Sequence, residues 1–292
     1  MVYFITYQRR NRTQGAPRHT MDTDQAYNAY APIYDHIGQE RFGAHLAGLA
    51  LEWLRVRGKT PQRALDLACG TGGATLIFAA AGIETVGLDR SPAMLRIARD
   101  RTRKAGLAAT FIEADMRGLE DLVVTGALHG DAVQRSFNHA RRFGLVTCFG
   151  DAVNHLTDDG DLRRVFAGIS RALEPDGYAL FDVNTEAAFA QWGERDFVVY
   201  ESDDCLVYHR LTYNPATRLG QGRIVWLTRG DDNRWRRGEE THIERAWSDA
   251  EIRQALAAGG LALVERLTAD GKSVADDAPL PERLVYIATI DR

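Results

Sequence analysis

The distribution of apolar and polar positions divides the chain into two regimes. From Phe42 to about Val183, compact apolar runs alternate with stretches in which apolar residues recur every three or four positions, a strand-then-helix pattern. Phe42, Leu46, Leu49 and Trp53 mark an amphipathic helix over Phe42 to Val56. Ala64-Leu65-Asp66-Leu67 reads as a buried strand that breaks into the glycines of Cys69-Gly70-Thr71-Gly72-Gly73, and Ala74 to Ala81 reads as the helix behind it. Val86-Gly87-Leu88 is a second strand, ended by Asp89. Ser91 at N-cap and Pro92 at N1 then open a helix with Met94, Leu95 and Ile97-Ala98 inside, closed by Lys104-Ala105-Gly106. Further strands are predicted over Ala109 to Glu113, Phe143 to Cys148 and Tyr178 to Val183. The helix from Leu162 to Leu173 is stopped by the turn Glu174-Pro175-Asp176-Gly177.

Between Phe197 and Ile243 the period becomes two, with aromatic-rich runs such as Phe197-Val198-Val199-Tyr200, Leu206-Val207-Tyr208 and Arg223-Ile224-Val225-Trp226-Leu227. Asn214-Pro215 and Leu219-Gly220 punctuate them, so this part predicts an inserted antiparallel sheet. Ser248-Asp249-Ala250-Glu251 is a capping-box helix start. That helix ends at Gly259-Gly260, and Leu261 to Leu267 and Leu284 to Ile290 supply two last strands. The expected fold is α/β: a doubly wound, mostly parallel seven-stranded sheet with one reversed strand near the end, plus the insertion. Residues 59–184 and 244–292 would form the main domain, 21–58 an N-terminal lid of helices and 185–243 a sheet covering the substrate.

Composition narrows the function little but excludes some classes. The 292 residues carry a net charge of −4 with acids and bases mixed, so no overall basic field points to nucleic acid. Basic residues concentrate in 1–20, with Arg9, Arg10, Arg12 and Arg18 and no acid, read as a flexible extension; Met21 would serve as an alternative start. No apolar run approaches the roughly 18 residues of a membrane span. Cys69, Cys148 and Cys205 are scattered and odd in number, which suits a reduced cytoplasmic protein, and no histidine or cysteine spacing suggests a metal.

The chemistry centres on the glycine loop. Counted from Gly70, the dinucleotide pattern G-x-G-x-x-G fails at Thr75, so a pyrophosphate is not the expected ligand. A nucleoside without phosphates remains, with Asp89 about 20 residues on, where a ribose-binding carboxylate belongs. Asp66-Leu67-Ala68-Cys69-Gly70-Thr71-Gly72 resembles motif I of the class I S-adenosylmethionine-dependent methyltransferases, with Ala68 in place of the usual first glycine. The resemblance implies a class I Rossmann-like fold. It also implies S-adenosylmethionine as cofactor, S-adenosylhomocysteine as product, and cofactor contacts from Asp66, Ala68, Gly70, Thr71, Gly72, Asp89, Arg90, Met94, Asp115, Met116 and Cys148. Asp115-Met116 matches the family's adenine contact. Tyr30-Ala31-Pro32-Ile33-Tyr34-Asp35 resembles the lid of small-molecule methyltransferases, which would place Tyr30 on the cofactor and Tyr34 near the reaction; Tyr27 is the weaker member of the three.

The inserted sheet resembles that of the glycine, sarcosine and amino-sugar N-methyltransferases, which implies a small-molecule acceptor with an amine nitrogen. Two departures stand out. Gly126 to Arg142, with Arg135, Arg141 and Arg142, lengthens the path to the fourth strand, and Gly144 stands where the family has Asp. Phe181-Asp182-Val183-Asn184 also lacks the arginine that clamps a glycine carboxylate, so glycine itself is not the expected acceptor. The loop after the fourth strand, Phe149 to Leu156, lies at a carboxyl end of the parallel sheet, where ligands sit. Asp151, Asn154 and His155 are its substrate-binding candidates, with Asn154 and His155, beside Tyr34, the catalytic ones. Were His155 to accept a proton, its ordinary pKa of about 6.5 would make activity rise through that pH. Methylation of an oxygen in a natural product and an RNA- or protein-binding or methylating module are the alternatives, and a homo-oligomer stays open.

Overall fold

The computed structural model describes residues 27–129, 142–193 and 195–291. The basic extension 1–20 and most of the polar insertion, with Arg135 and Arg141, lie outside the described residues. The chain opens with the short helix α1 (Ala31–His36) and the amphipathic α2 (Glu40–Val56). Strand and helix then alternate through β1 (Arg63–Leu67), α3 (Gly73–Ala80), β2 (Glu84–Asp89), α4 (Pro92–Lys104), β3 (Thr110–Glu113), α5 (Leu119–Thr125), β4 (Phe143–Cys148), α6 (Asp161–Ala172), β5 (Leu173–Asn184) and α7 (Glu186–Phe189). Four strands follow, β6 (Arg195–Glu201), β7 (Cys205–Asn214), β8 (Leu219–Arg229) and β9 (Trp235–Arg245). The described chain finishes with α8 (Asp249–Ala258), β10 (Leu261–Thr268) and β11 (Arg283–Ile290).

The main sheet has seven strands in the order β10-β11-β5-β4-β1-β2-β3, and a separate sheet has four in the order β6-β7-β8-β9. β1 pairs in parallel with both β2 and β4, while β11 runs antiparallel to β5 and β10. The reversed strand expected near the end is therefore β11. β1 and β4 are buried at every position, as a parallel strand covered on both faces requires. One core layer packs α6 and α8 residues such as Phe166, Ile169 and Ile252 against the sheet; the other packs Leu46, Trp53 and Phe78 from α2 and α3 on the opposite face.

Local signals hold where the sequence placed them. Ser91 accepts the Met94 N–H and caps α4, and Ser248 with Glu251 forms the reciprocal capping box of α8. The Glu174–Gly177 turn is absorbed into β5: the strand begins with Leu173 beside Phe143, shifts register, and resumes with Tyr178 beside Leu145. The fourth strand of the second sheet, β9, has no apolar signature. Its buried alternate positions are Glu240, His242 and Glu244.

Candidate functional site

After β1 the backbone turns sharply. Ala68 and Gly70 have φ of 51° and 54°, and Gly72 at φ 82° is the left-handed N-cap of α3. A side chain on Gly70 would meet no atom within 4 Å, so the loop presents bare main chain to open space. Gly73 serves packing instead, because a Cβ there would lie 2.5 Å from the Glu40 carbonyl oxygen at the start of α2.

Two clefts meet at this loop. The larger is lined by Ala68, Gly70, Asp89, Arg90, Met94, Asp115, Met116, Tyr27, Tyr34 and His155. The smaller runs the other way, along Tyr34, Glu40, Asp66, Cys69, Gly70 and Thr71. Asp89, at the end of β2, accepts the Gly70 N–H on one oxygen and the Ser91 N–H on the other, both at 2.8 Å. Burial raises its pKa, and these bonds oppose the rise. Asp115 is raised by burial, but its pairing with the neighbouring Arg117, at 2.5 Å, holds it below the ordinary carboxylate range overall.

Several expected wall residues do not line the larger cleft. Asp66 is buried under the loop, accepting from Thr75 at 2.6 Å and Thr147 at 2.9 Å, so it ties β1 to α3 and β4; burial lifts it to about 6. Of the two clefts it reaches only the smaller one. Thr71 also borders only the smaller cleft, donating to Asp35. Gly72 shapes the loop without lining either cleft, and buried Cys148 sits beneath Met116, with its sulfur 3.8 Å from the methionine sulfur. Tyr30 points away altogether. It is 1% exposed, packs on Trp226 of the second sheet, and its hydroxyl has no partner. The aromatic ring that enters the larger cleft from this segment, along with Tyr34, is that of Tyr27.

Three acceptors pin the N-terminal segment. Glu240 of β9 accepts the N–H groups of Tyr27, Ala29 and Tyr30 at 2.8, 2.8 and 2.9 Å, and His242 donates to the same carboxylate. Asn28 accepts the Ser91 hydroxyl, and Asp35 accepts from Thr71 and Arg101.

The loop after β4 is held equally firmly. Gly150 and Asp151, both at positive φ, donate their N–H groups to Asp182 at 2.7 and 3.1 Å. Arg283 of β11 reaches the same spot, 2.5 Å from Asp182 and 3.0 Å from Asp151. Asn154 is fully buried and saturated: its amide donates to the carbonyls of Asn184 and Arg245 and accepts the Asn184 N–H. A buried amide with every bond made to backbone is structural, so Asn154 does not face the cleft. His155 does, with Nε2 3.0 Å from the Tyr27 hydroxyl. Burial and nearby His242 drag its pKa down to about 4, which removes the titration near 6.5 expected of a free imidazole. Asp151, His155 and Glu244 bring oxygen and nitrogen atoms within 4.8 Å of one another.

Glu40, Glu240, His242, Glu244 and Arg283 were not singled out from sequence. The available signal was the alternation Glu240-x-His242-x-Glu244 inside a strand-rich insertion, where inward polar residues need a reason.

Residues 64–177 match a family model described as a methyltransferase domain. A protein of Geobacillus sp. (strain WCH70), named only provisionally as a methyltransferase, is 26% identical over 266 residues, spanning 90% of this chain and 98% of its own. The dTDP-3-amino-3,6-dideoxy-alpha-D-glucopyranose N,N-dimethyltransferase of Streptomyces fradiae is 28% identical over 247 residues, 80% of this chain and 84% of its own. An S-adenosylmethionine-dependent methyltransferase from Clostridium acetobutylicum ATCC 824 superposes with a TM-score of 0.71 at 25% identity, covering 91% of this chain and 99% of that one. Among the described residues no helix is long and apolar enough to cross a membrane. With its strand order, its bare-backbone loop and these likenesses, the chain is an S-adenosylmethionine-dependent methyltransferase of the class I fold.

Proposed function

We propose that this methyltransferase acts on an amine nitrogen of a small molecule. The observation that carries the reading is the cluster of Asp151, Glu244 and His155, three proton-accepting groups of which His155 lines the larger cleft. Arg283, the guanidinium in contact with Asp151, is already engaged by Asp182 and Asp151. Such a cluster favours a cationic or neutral amine over a carboxylate. The Streptomyces relative, which methylates an amino sugar, agrees with a nitrogen acceptor.

The two clefts fit the methyl donor. Asp89 keeps free lone pairs for the ribose hydroxyls, and Ala114, Asp115 and Met116 border the adenine end. In the smaller cleft a Glu40 carboxylate oxygen is buried and without a partner, which suits the ammonium of the donor's amino-acid end. S-adenosylmethionine supplies an already activated methyl group, so the protein's part is mostly to hold the acceptor in line. His155, neutral at physiological pH, and the Tyr27 hydroxyl are placed to orient the acceptor nitrogen. The second sheet roofs the acceptor, and its contribution extends past residue 243 to Glu244.

A methyl-transfer screen over primary amines, amino sugars, phenols and carboxylic acids tests the reading by mass spectrometry. N-methyl products are expected; methylation of phenols alone would overturn it.

A further inference from the structure

A second cavity, of about 330 Å³, lies on the far side of the acid cluster, bordered by Asn184, Trp192, Phe197, Leu211, Glu282 and Arg283. Asn184 and Arg283 line this cavity and also contact the cluster, whereas His155, a member of the cluster, lines the donor cleft. The cluster is therefore the partition between the two spaces. Within it the Asn184 amide nitrogen lies 3.0 Å from Asp151 and 3.4 Å from Glu244, so one amide clips both carboxylates together. Glu244 is 7% exposed.

The charges around this pair do not balance. Asp151, Asp182 and Glu244 face one guanidinium, Arg283, which lies against Asp182 and Asp151. The remaining groups near Glu244 are Tyr27 from the N-terminal segment and His155 from the loop after β4; His242, two positions back on its own strand, is bonded to Glu240. Two carboxylates this close cannot both stay ionised in a buried site without a cation or a shared proton.

We infer that the Asp151–Glu244 pair seats the acceptor's ammonium group at the partition and that Glu244 takes its proton, while the rest of the acceptor, an apolar or aromatic body, lies in the second cavity. The inference rests on the amine reading above. Trp192, Phe197 and Leu211 give that cavity its apolar side. Arg283 pairs with Asp151 at 3.0 Å, whereas Glu244 has only the longer amide contact, so Glu244 is the member placed to take a proton. Burial first, and Asp151's charge second, push its carboxyl well above the ordinary range, in the direction the role needs.

In the step, an N–H bond of the ammonium breaks, its pair stays on nitrogen and the proton goes to a Glu244 oxygen. The nitrogen pair then bonds the methyl carbon while the carbon–sulfur bond breaks with its pair going to sulfur. The products are the methylated ammonium, the thioether and a neutral Glu244, which returns its proton to solvent. The total charge is the same before and after.

The test uses the full chain with S-adenosylhomocysteine bound, carboxyl-13C-labelled glutamate, and benzylamine, benzyl alcohol and Mn²⁺ as probes. At pH 7 benzylammonium should bind at least tenfold more tightly than benzyl alcohol. It should also move the Glu244 resonance toward its carboxylate position. Glu244→Gln should lose that tenfold while keeping wild-type affinity for S-adenosylhomocysteine, and Glu244→Asp should recover part of it. Equal benzylammonium binding by wild type and Glu244→Gln would overturn the inference, as would an unmoved resonance. Mn²⁺ binding that Glu244→Gln abolishes would overturn it too, making the pair a metal seat. Failure of the amine reading looks different: phenols alone would be methylated while Glu244-dependent binding of benzylammonium persisted.

Discussion

At the level of single residues, the firmest expectation concerns Asp89. Both of its oxygens already hold the glycine loop and the start of α4, so the carboxylate is fixed before any ligand arrives. Asp89→Ala should weaken S-adenosylmethionine binding at least tenfold, since a hydrogen bond to a charged group is worth about 1.5–3 kcal/mol. Unchanged affinity in titration calorimetry would remove Asp89 from the ribose site. His155 leads to an expectation opposite to the one its residue type suggests. With its pKa near 4 it is uncharged between pH 6 and 8. His155→Asn should therefore lower kcat without changing the shape of the pH–rate profile over that range. A wild-type limb near pH 6.5 that vanishes in the variant would show that the imidazole titrates after all.

At the scale of elements, β9 does what no local pattern announced. A strand that buries Glu240, His242 and Glu244 offers no apolar alternation, so its neighbours were legible in the sequence and it was not. Helix caps, the glycine loop and the parallel strands were legible because each is fixed by residues adjacent in sequence. Asn154 and Tyr30 were not. Whether a polar residue faces a cleft or satisfies a distant backbone depends on partners such as Arg245 and Trp226, about 90 and 200 positions away. Glu240 also makes β9 the anchor of the segment from Tyr27 to Tyr30. Glu240→Ala should speed amide hydrogen exchange over residues 27–36 and reduce activity at least tenfold. Glu240→Gln, which keeps one accepting oxygen, should fall between the two. Exchange unchanged in the alanine variant would mean that the segment is held by Asn28 and Asp35 alone.

For the molecule as a whole, burial of imidazoles contributes to the acid limb of stability. His155 and His209 both fall to about 4 when folded, and burial is the first cause for each. The unfolded chain protonates them near 6.5, so between about pH 6.5 and 4 it binds more protons and stability drops as pH falls. Asp66, lifted to about 6, acts in the opposite sense over a similar window, and Asp89, Asp182 and Glu244 are raised in the same direction. His209→Leu, which removes a buried ring nitrogen without a partner, should therefore raise the melting temperature more at pH 5 than at pH 7. An equal change at both pH values would show that the His209 ring does not contribute to the acid limb. The sheet order has a further consequence, for the timing of synthesis. β10 is made before β11, yet β11 lies between it and β5. As the chain leaves the ribosome, β10 has no place in the sheet until the following strand emerges, and that same strand delivers Arg283 to Asp182. Nascent chains stalled before residue 283 should be cut by protease at β10 and bind no donor. Chains released with β11 complete should resist protease there, so the finishing of the fold and the arming of the site become one event on the ribosome's clock.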